Sequence, residues 1–244
     1  MERVVLVTGS SSGIGREIVR KLASDYEVII HYNNSEKDAF MLKDELDRLY
    51  NKDVMLVKCD LSSEEEINNM LDTIYSRYSN IDILVNNAGT SIDTLVEDKT
   101  KDNFIKTLEV NTIAPFLLMK KIGLKMKENK YGNIVNISST NGIDTIYPES
   151  LDYDASKAAL ISASKNMAQY LAPYVRVNTV CPGWVNTRMN KELDREFIKK
   201  EEENILLGRF GESEEIANVV KFLISDEASY VNDSIIRVDG GVKC

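Results

Sequence analysis

The sequence predicts a single α/β domain in which helices cover both faces of a doubly wound parallel sheet. Short, continuous apolar runs alternate with segments of helical periodicity, a glycine-rich turn follows the first apolar run, and no linker or internal repeat interrupts the alternation. Continuous apolar runs are typical of strands buried on both faces, and alternating strands and helices form a parallel sheet. The length of 244 residues suits one three-layer αβα domain spanning residues 1–244.

The elements follow one another in a regular order along the chain. The first strand is the apolar run at residues 4–7, and Ile14, Ile18 and Leu22 then recur at helical spacing. Further strands are expected at residues 28–30, 54–57, 81–85, 133–137, 175–180 and 234–238. Further helices are expected at residues 35–49, 64–78, 102–127, 152–171 and 214–223. The irregular stretches 138–151 and 182–192 come just after strands, where open α/β sheets bind their ligands.

The charge balance argues against nucleic-acid binding. The chain carries 39 acidic and 30 basic residues, a formal net charge of −9, and neither sign is concentrated in a long block. A net negative charge repels phosphate backbones and also disfavours strongly acidic protein partners. We therefore expect no nucleic-acid partner.

The cysteine and histidine content offers neither a disulfide framework nor a metal site. Cys59, Cys181 and Cys244 are far apart, and His31 is the only imidazole. No apolar stretch approaches the roughly 18 residues that a membrane span needs, so no membrane association is expected. These features favour a reducing, cytoplasmic setting. His31 itself is interpreted as an ordinary histidine at the end of the second strand.

A glycine-rich turn connects the first strand to the first helix. Gly9 suits the tight turn, Gly13 allows close approach of the backbone to a pyrophosphate, and Gly15 lets the helix pack on the strand. The free N–H groups at the helix N-terminus favour phosphate binding. The spacing Gly-x3-Gly-x-Gly differs from the common Gly-x-Gly-x-x-Gly, so a generic turn is the alternative interpretation.

Tyr153 and Lys157 are a second candidate pair. Residues four apart share one face of a helix, so both side chains can enter one pocket. In a chain of this length with 11 tyrosines and 20 lysines, about one Tyr-x3-Lys spacing is expected by chance. A pair on the protein surface is therefore the alternative. The position of the pair, at the start of a helix and after the Ser138-Ser139 pair that ends a strand, favours a site.

Two further signals are weak when taken alone. Residues 86–89, Asn-Asn-Ala-Gly, close a strand and suit a loop against a flat ligand, but they also suit a simple turn. Asn111 lies in a predicted helix, where its propensity is poor, and a solvated surface Asn is the alternative.

Together these motifs resemble the short-chain dehydrogenase/reductase family, which has a Rossmann fold. The resemblance covers essentially the whole chain and rests on residues 8–15 and 86–89, on Asn111, Ser139, Tyr153-x3-Lys157 and Pro182-Gly183. The segments 207–211, 214–218, 225–230 and 238–241 are similar to those of 3-oxoacyl-[acyl carrier protein] reductases. Related sugar, steroid and small-ketone reductases share these segments.

The resemblance implies a role for each of four catalytic residues. Tyr153 donates the proton while hydride arrives from nicotinamide, and Ser139 binds the carbonyl oxygen. Lys157 holds the nicotinamide ribose, and its positive charge is expected to lower the pKa of Tyr153. Asn111 corresponds to the Asn that kinks a helix and positions a water in the proton relay.

The resemblance also implies a cofactor site and no metal. The expected cofactor-binding residues are Gly9, Ser11, Ser12, Gly13, Ile14, Gly15, Asn33, Asp60, Leu61, Asn87, Ala88, Gly89, Tyr153, Lys157, Pro182, Gly183, Val185 and Thr187. Residues 31–35 contain no acid to bind the ribose hydroxyls of NAD, which favours NADP(H). NAD(H) is the alternative, since Ser12 stands where many NADP-dependent relatives carry a base.

The resulting prediction is an NADP-preferring carbonyl reductase with 3-oxoacyl-[acyl carrier protein] as the leading substrate. The alternatives are a reductase of a small free ketone, sugar or steroid, and a non-catalytic cofactor-binding regulator. Intact Ser139, Tyr153 and Lys157 argue against the regulator. The resemblance further implies a homotetramer joined through helices 102–127 and 152–171.

The partner that carries the acyl group is a separate question. In the resembled reductases, basic residues beside the active-site mouth dock the acidic carrier protein. Lys130 matches one such position, but residues 171–174 carry no base at the other. Asp144, Glu149 and Asp152 are expected to add negative charge near the substrate entrance. The sequence therefore predicts that acyl carrier protein adds less advantage here than in a dedicated fatty-acid enzyme.

Overall fold

The computed structural model describes residues 2–187, 190 and 193–242 and contains a seven-stranded, fully parallel sheet. Its strands lie in the order β3-β2-β1-β4-β5-β6-β9. The strands are β1 Val4–Val7, β2 Glu27–Tyr32, β3 Met55–Lys58, β4 Ile83–Asn86, β5 Gly132–Ile137, β6 Val175–Pro182 and β9 Ile235–Val238. A two-stranded sheet pairs β7 Val185–Asn186 with β8 Gly211–Glu212. The strand order reverses between β1 and β4, and such switch points are where open α/β sheets bind ligands.

Helices cover both faces of the large sheet. They are α1 Gly13–Leu22, α2 Glu36–Tyr50, α3 Glu64–Arg77, α4 Lys101–Leu108, α5 Ala114–Glu128, α6 Leu151–Leu171, α7 Arg195–Asn204 and α8 Ser213–Ile224. Two hydrophobic clusters lie on opposite faces of the sheet, because side chains alternate between the faces along each strand. In β1, Val5 and Val7 belong to the cluster with α1, α2 and α8, whereas Val4 and Leu6 belong to the cluster with α3, α5 and α6. Both faces of β1 are buried, which explains why its sequence is continuously apolar.

The predicted doubly wound α/β fold is confirmed, with two differences in the helices. The helix expected at 102–127 is interrupted by a π-helical turn at Glu109–Ile113 between α4 and α5. Helix α7 was not predicted, because it buries no residue completely and its sequence is strongly charged.

No helix in the described ranges is long and apolar enough to cross a membrane. Cys59 and Cys181 are buried free thiols, while Cys244 lies outside the described residues. Within those residues, no group of three or more His, Cys, Asp and Glu side chains could hold a metal ion.

Candidate active site

A cleft of about 590 Å³ runs along the carboxyl ends of the central strands. With the exception of Gly15, every residue expected to bind the cofactor lines this cleft. A Cβ atom at Gly15 would lie 2.5 Å from both Asn87 Nδ2 and the Gly9 carbonyl oxygen. Gly15 therefore permits the close packing of α1 against the loops that follow β1 and β4, rather than against the strand itself as predicted.

The turn after β1 is held by the turn after β4. The Thr8 hydroxyl accepts hydrogen bonds from the backbone N–H groups of Asn87 and Ala88, both at 3.0 Å. Gly9 has a φ of 62°, and a Cβ there would lie 2.8 Å from the Ala88 Cα. Only glycine combines this left-handed conformation with such a close approach. Residues 87–89 thus line the cleft rather than forming an isolated turn, while Asn86 is buried at the end of β4.

His31 is the penultimate residue of β2, as its interpretation as a strand-end histidine predicted, and it also supports the glycine turn. The Gly9 N–H donates to His31 Nδ1 at 2.9 Å, and His31 Nε2 lies 3.1 Å from the Cys59 carbonyl oxygen. Burial lowers the pKa of His31 to about 4, so the ring is neutral and Nδ1 can accept. This single side chain joins the turns that follow β1 and β3, a contact that no local pattern indicates.

Tyr153 and Lys157 lie one turn apart on α6 and both enter the cleft, as their spacing predicted. The Lys157 ammonium lies 5.5 Å from the centroid of the Tyr153 ring and donates to the Ile137 carbonyl oxygen at 2.9 Å. A Cβ at Gly89 would lie 3.3 Å from Lys157 Nζ, so the absence of a side chain keeps space open beside the ammonium.

The two adjacent serines have different surroundings. The Ser138 hydroxyl donates to the Lys157 carbonyl oxygen at 2.9 Å and so fixes β5 to α6. The Ser139 hydroxyl donates to Asn141 Oδ1 at 3.0 Å, and it lies close enough to Tyr153 to lower the pKa of that phenol. Of the two serines, Ser139 is therefore the one that interacts with Tyr153.

Burial is the main influence on the pKa values of the Tyr153 phenol and the Lys157 ammonium. It raises the pKa of Tyr153 to about 12, although the hydrogen bond with Ser139 lowers it, and it lowers the pKa of Lys157 to about 8. The expected lowering of the Tyr153 pKa by Lys157 is therefore not found in this structure. Loss of water disfavours the charged form of each group more than their proximity favours it.

Asn111 is fully buried in the π-helical turn, so the solvated-surface alternative is wrong. Its Oδ1 accepts from the Thr90 N–H at 2.8 Å, and its Nδ2 donates to the Thr90 carbonyl at 2.8 Å and to Ser156 Oγ at 3.0 Å. The side chain thereby connects the kink between α4 and α5 to the loop after β4 and to α6.

A second cavity of about 800 Å³ adjoins the cleft. Ser139 and Tyr153 line both cavities, so their hydroxyls face the boundary between them. The second cavity has an aromatic wall in which Trp184 contacts Tyr147 and Phe197, with ring centroids 5.6 and 5.4 Å away. Sequence reasoning missed this wall, since its residues come from three separate segments.

Among the residues that the structure describes, the charged side chains lining the second cavity are mainly acidic. Five of these residues are carboxylates: Asp93, Asp144, Glu149, Glu201 and Asp239. Arg237 also lines it and pairs with Asp144 at 2.6 Å and with Asp239 at 2.8 Å. The expectation for Asp144 and Glu149 agrees with this placement. The expectation for Asp152 was wrong, because its side chain is completely buried beside Lys99.

Lys130 lies near the amino-terminal ends of the strands, whereas the site lies at their carboxyl ends. It precedes the amino end of β5, whereas Ser139 follows the carboxyl end. A strand of six residues spans about 20 Å. Lys130 is therefore not beside the mouth of this chain's own cavities, contrary to the expectation from sequence.

Comparisons with known proteins agree with this geometry. A family model described as "Enoyl-(Acyl carrier protein) reductase" matches residues 9–243. The 3-oxoacyl-[acyl-carrier-protein] reductase FabG of Aquifex aeolicus is 42% identical over 241 residues, covering 98% of this chain and 97% of the relative. The corresponding FabG of Thermotoga maritima is 34% identical over 241 residues, with the same two coverages.

The solved structures include a relative that is described as an acetoin dehydrogenase. The crystal structure of acetoin dehydrogenase YohF from Salmonella typhimurium matches with a TM-score of 0.89 and 30% identity. The match covers 99% of this chain and 96% of that chain. The same architecture thus extends over the whole length of both proteins.

Proposed function

Because the chain belongs to the short-chain dehydrogenase/reductase family, and is thus a nicotinamide-dependent oxidoreductase of carbonyl or hydroxyl groups, we propose that it reduces 3-oxoacyl groups with NADPH. The observation that carries this proposal is the position of Tyr153 and Ser139 at the boundary of the two cavities, with Lys157 behind them. One cavity suits the cofactor and the other suits the substrate.

The residues of the cleft fit a dinucleotide. The glycine turn and the N-terminus of α1 would hold the pyrophosphate, Asp60 and Leu61 the adenine, and Val185 the carboxamide. The open space at Gly89 lies where the Lys157 ammonium could reach a ribose hydroxyl. When bound, the nicotinamide supplies the hydride.

The proton chemistry belongs to the chain itself. Ser139 would donate a hydrogen bond to the carbonyl oxygen and orient it toward Tyr153. The Tyr153 hydroxyl would give its proton to that oxygen as negative charge develops, which is general acid catalysis. Its pKa of about 12 keeps the proton in place until then. Lys157 would stabilise the phenolate left behind.

We expect NADPH to be used with higher kcat/KM than NADH. Around the end of β2 the cleft is lined by uncharged donors, including Asn33, Asn34 and Ser35, which can bind a 2′-phosphate without repulsion. An Asn33→Asp variant should lose about tenfold or more of its efficiency with NADPH relative to NADH, because like charges repel. Steady-state kinetics with both cofactors measure the ratio.

Asn69→Asp on the outer face of α3 is the matched control, since it adds the same charge at an exposed position outside the cleft. Equal or better efficiency of the unmodified enzyme with NADH would refute the proposed preference.

The acyl carrier is tested by comparing 3-oxoacyl-[acyl carrier protein] with the same acyl group on a short thioester. The acidic lining of the second cavity and the position of Lys130 favour a small advantage for the carrier-linked substrate. We expect similar kcat/KM values for the two substrates, with little change between low and high salt. A large preference for the carrier-linked form that disappears at high salt would demonstrate electrostatic docking instead.

A reductase of small neutral ketones is the second candidate function. The second cavity supports it, because its aromatic wall suits an uncharged group and its carboxylates disfavour anionic ones. NADPH oxidation measured in parallel with acetoin and with a 3-oxoacyl thioester separates the two candidates.

We also propose that the chain forms a homotetramer through the faces of α4, α5 and α6. Ile105, Phe116 and Leu124 are apolar side chains exposed on the first two of these helices, and Tyr170 is exposed on α6. Exposed apolar side chains concentrated on adjoining helices are typical of subunit interfaces.

A further inference from the structure

An ion pair with both partners buried includes Asp152, the residue before Tyr153 in α6. Lys99 Nζ is 2.6 Å from Asp152 Oδ1, and their side chains are 4% and 0% exposed. In every other ion pair among the described residues, at least one side chain is considerably more exposed than Lys99 or Asp152. In the Lys221–Asp25 pair, for example, the two side chains are 41% and 50% exposed.

The two charges belong to a hydrogen-bond network. The Thr107 hydroxyl donates to Asp152 Oδ2 at 2.7 Å, so both carboxylate oxygens have partners. The Lys99 ammonium also donates to the Ile92 carbonyl oxygen. The Lys99–Asp152–Thr107 triad therefore joins three elements: the loop of residues 90–98, helix α4 and the start of α6.

Each end of this network meets a functional part of the molecule. Asp152 is the residue before Tyr153 in the first turn of α6. The loop of residues 90–98 carries Ser91 and Asp93, which line the second cavity. The Thr94 N–H donates to the Glu149 carbonyl at 3.2 Å, which ties the same loop to the segment preceding α6.

Stability alone does not account for a buried ion pair. The cost of withdrawing two charges from water can exceed what their attraction returns, and replacing both partners by well-packed hydrophobic residues of similar volume is often neutral or stabilising. Removal of one partner is costly, because the other charge is then buried without compensation. What the triad supplies beyond stability is a fixed geometry among the parts that it joins.

We propose that Lys99 is a positioning residue. It acts through Asp152 to fix Tyr153, and through Ile92 to fix the loop of residues 90–98, which lines part of the second cavity. The inference rests on the proposed function in so far as it uses Tyr153 as the proton donor. Lys99 contacts neither cavity, so its effect on the reaction is transmitted by the triad.

The experiment compares Lys99→Met, Asp152→Asn and the double variant by thermal unfolding, steady-state kinetics and NADPH binding. Both single variants should have a lower Tm. The double variant, which contains no uncompensated charge, should recover its Tm and bind NADPH with unchanged Kd. Its kcat should nevertheless be about tenfold to a hundredfold lower, since small misplacements of a catalytic group are costly. Lys221→Met is the matched control and should have wild-type kinetics.

Hydrogen exchange provides a readout that does not need turnover. Amides of residues 90–98 and 151–156 should exchange faster in the double variant, while those of residues 9–15 should not change. A double variant with recovered Tm, wild-type kcat and wild-type exchange would overturn the proposal. If the unmodified enzyme reduces no carbonyl substrate, the proposed function fails, and the exchange data alone decide whether the triad fixes the loop and the helix.

Discussion

Replacement of Tyr153 by Phe is expected to reduce kcat by about 10²- to 10⁴-fold while the Kd for NADPH changes little. The substitution retains the ring that lies 5.5 Å from the Lys157 ammonium and removes only the hydroxyl that faces both cavities. Single-turnover reduction of a verified carbonyl substrate and NADPH fluorescence titration measure the two quantities separately.

Tyr147→Phe is the matched control for this prediction. Tyr147 lines the second cavity, but its hydroxyl donates to Glu201 at 2.8 Å rather than facing the cofactor cleft. We expect this variant to alter KM more than kcat. If Tyr153→Phe retained more than about a tenth of the wild-type kcat, the general-acid assignment would be contradicted.

Replacement of Lys157 by Met should damage both turnover and cofactor binding. The ammonium lies beside the open space at Gly89 and 5.5 Å from the centroid of the Tyr153 ring. Its loss would remove the proposed donor to the cofactor and the charge proposed to stabilise the phenolate. We expect kcat to fall by about 10²-fold or more and the NADPH Kd to rise. Lys165→Met, an exposed position on the same helix, is the control.

The pH dependence offers an independent check on Lys157. Burial lowers the pKa of this lysine to about 8, so its charge is present below that pH and lost above it. Reduction should therefore slow as the pH rises through about 8, and this limb should be missing from the residual activity of Lys157→Met. An unchanged alkaline limb in the variant would show that another group titrates.

Local patterns in the sequence determined the framework of the site. Continuous apolar runs placed strands such as β1 correctly, because a strand buried on both faces cannot alternate. The glycine motif identified the turn after β1, since a positive φ at Gly9 needs glycine. The spacing of Tyr153 and Lys157 placed both in one cleft, because residues four apart share a helix face.

Only the tertiary structure decided what these residues contact and how they ionise. In the π-helical turn at Glu109–Ile113, Asn111 donates hydrogen bonds to Thr90 and Ser156, which are remote in sequence. The pairing of Asp152 with Lys99 turned an expected surface acid into a buried one. The pKa values near 12 and 8 at Tyr153 and Lys157 follow from burial. Periodicity reports which face of an element is apolar, whereas desolvation and pairing depend on neighbours brought together from distant segments.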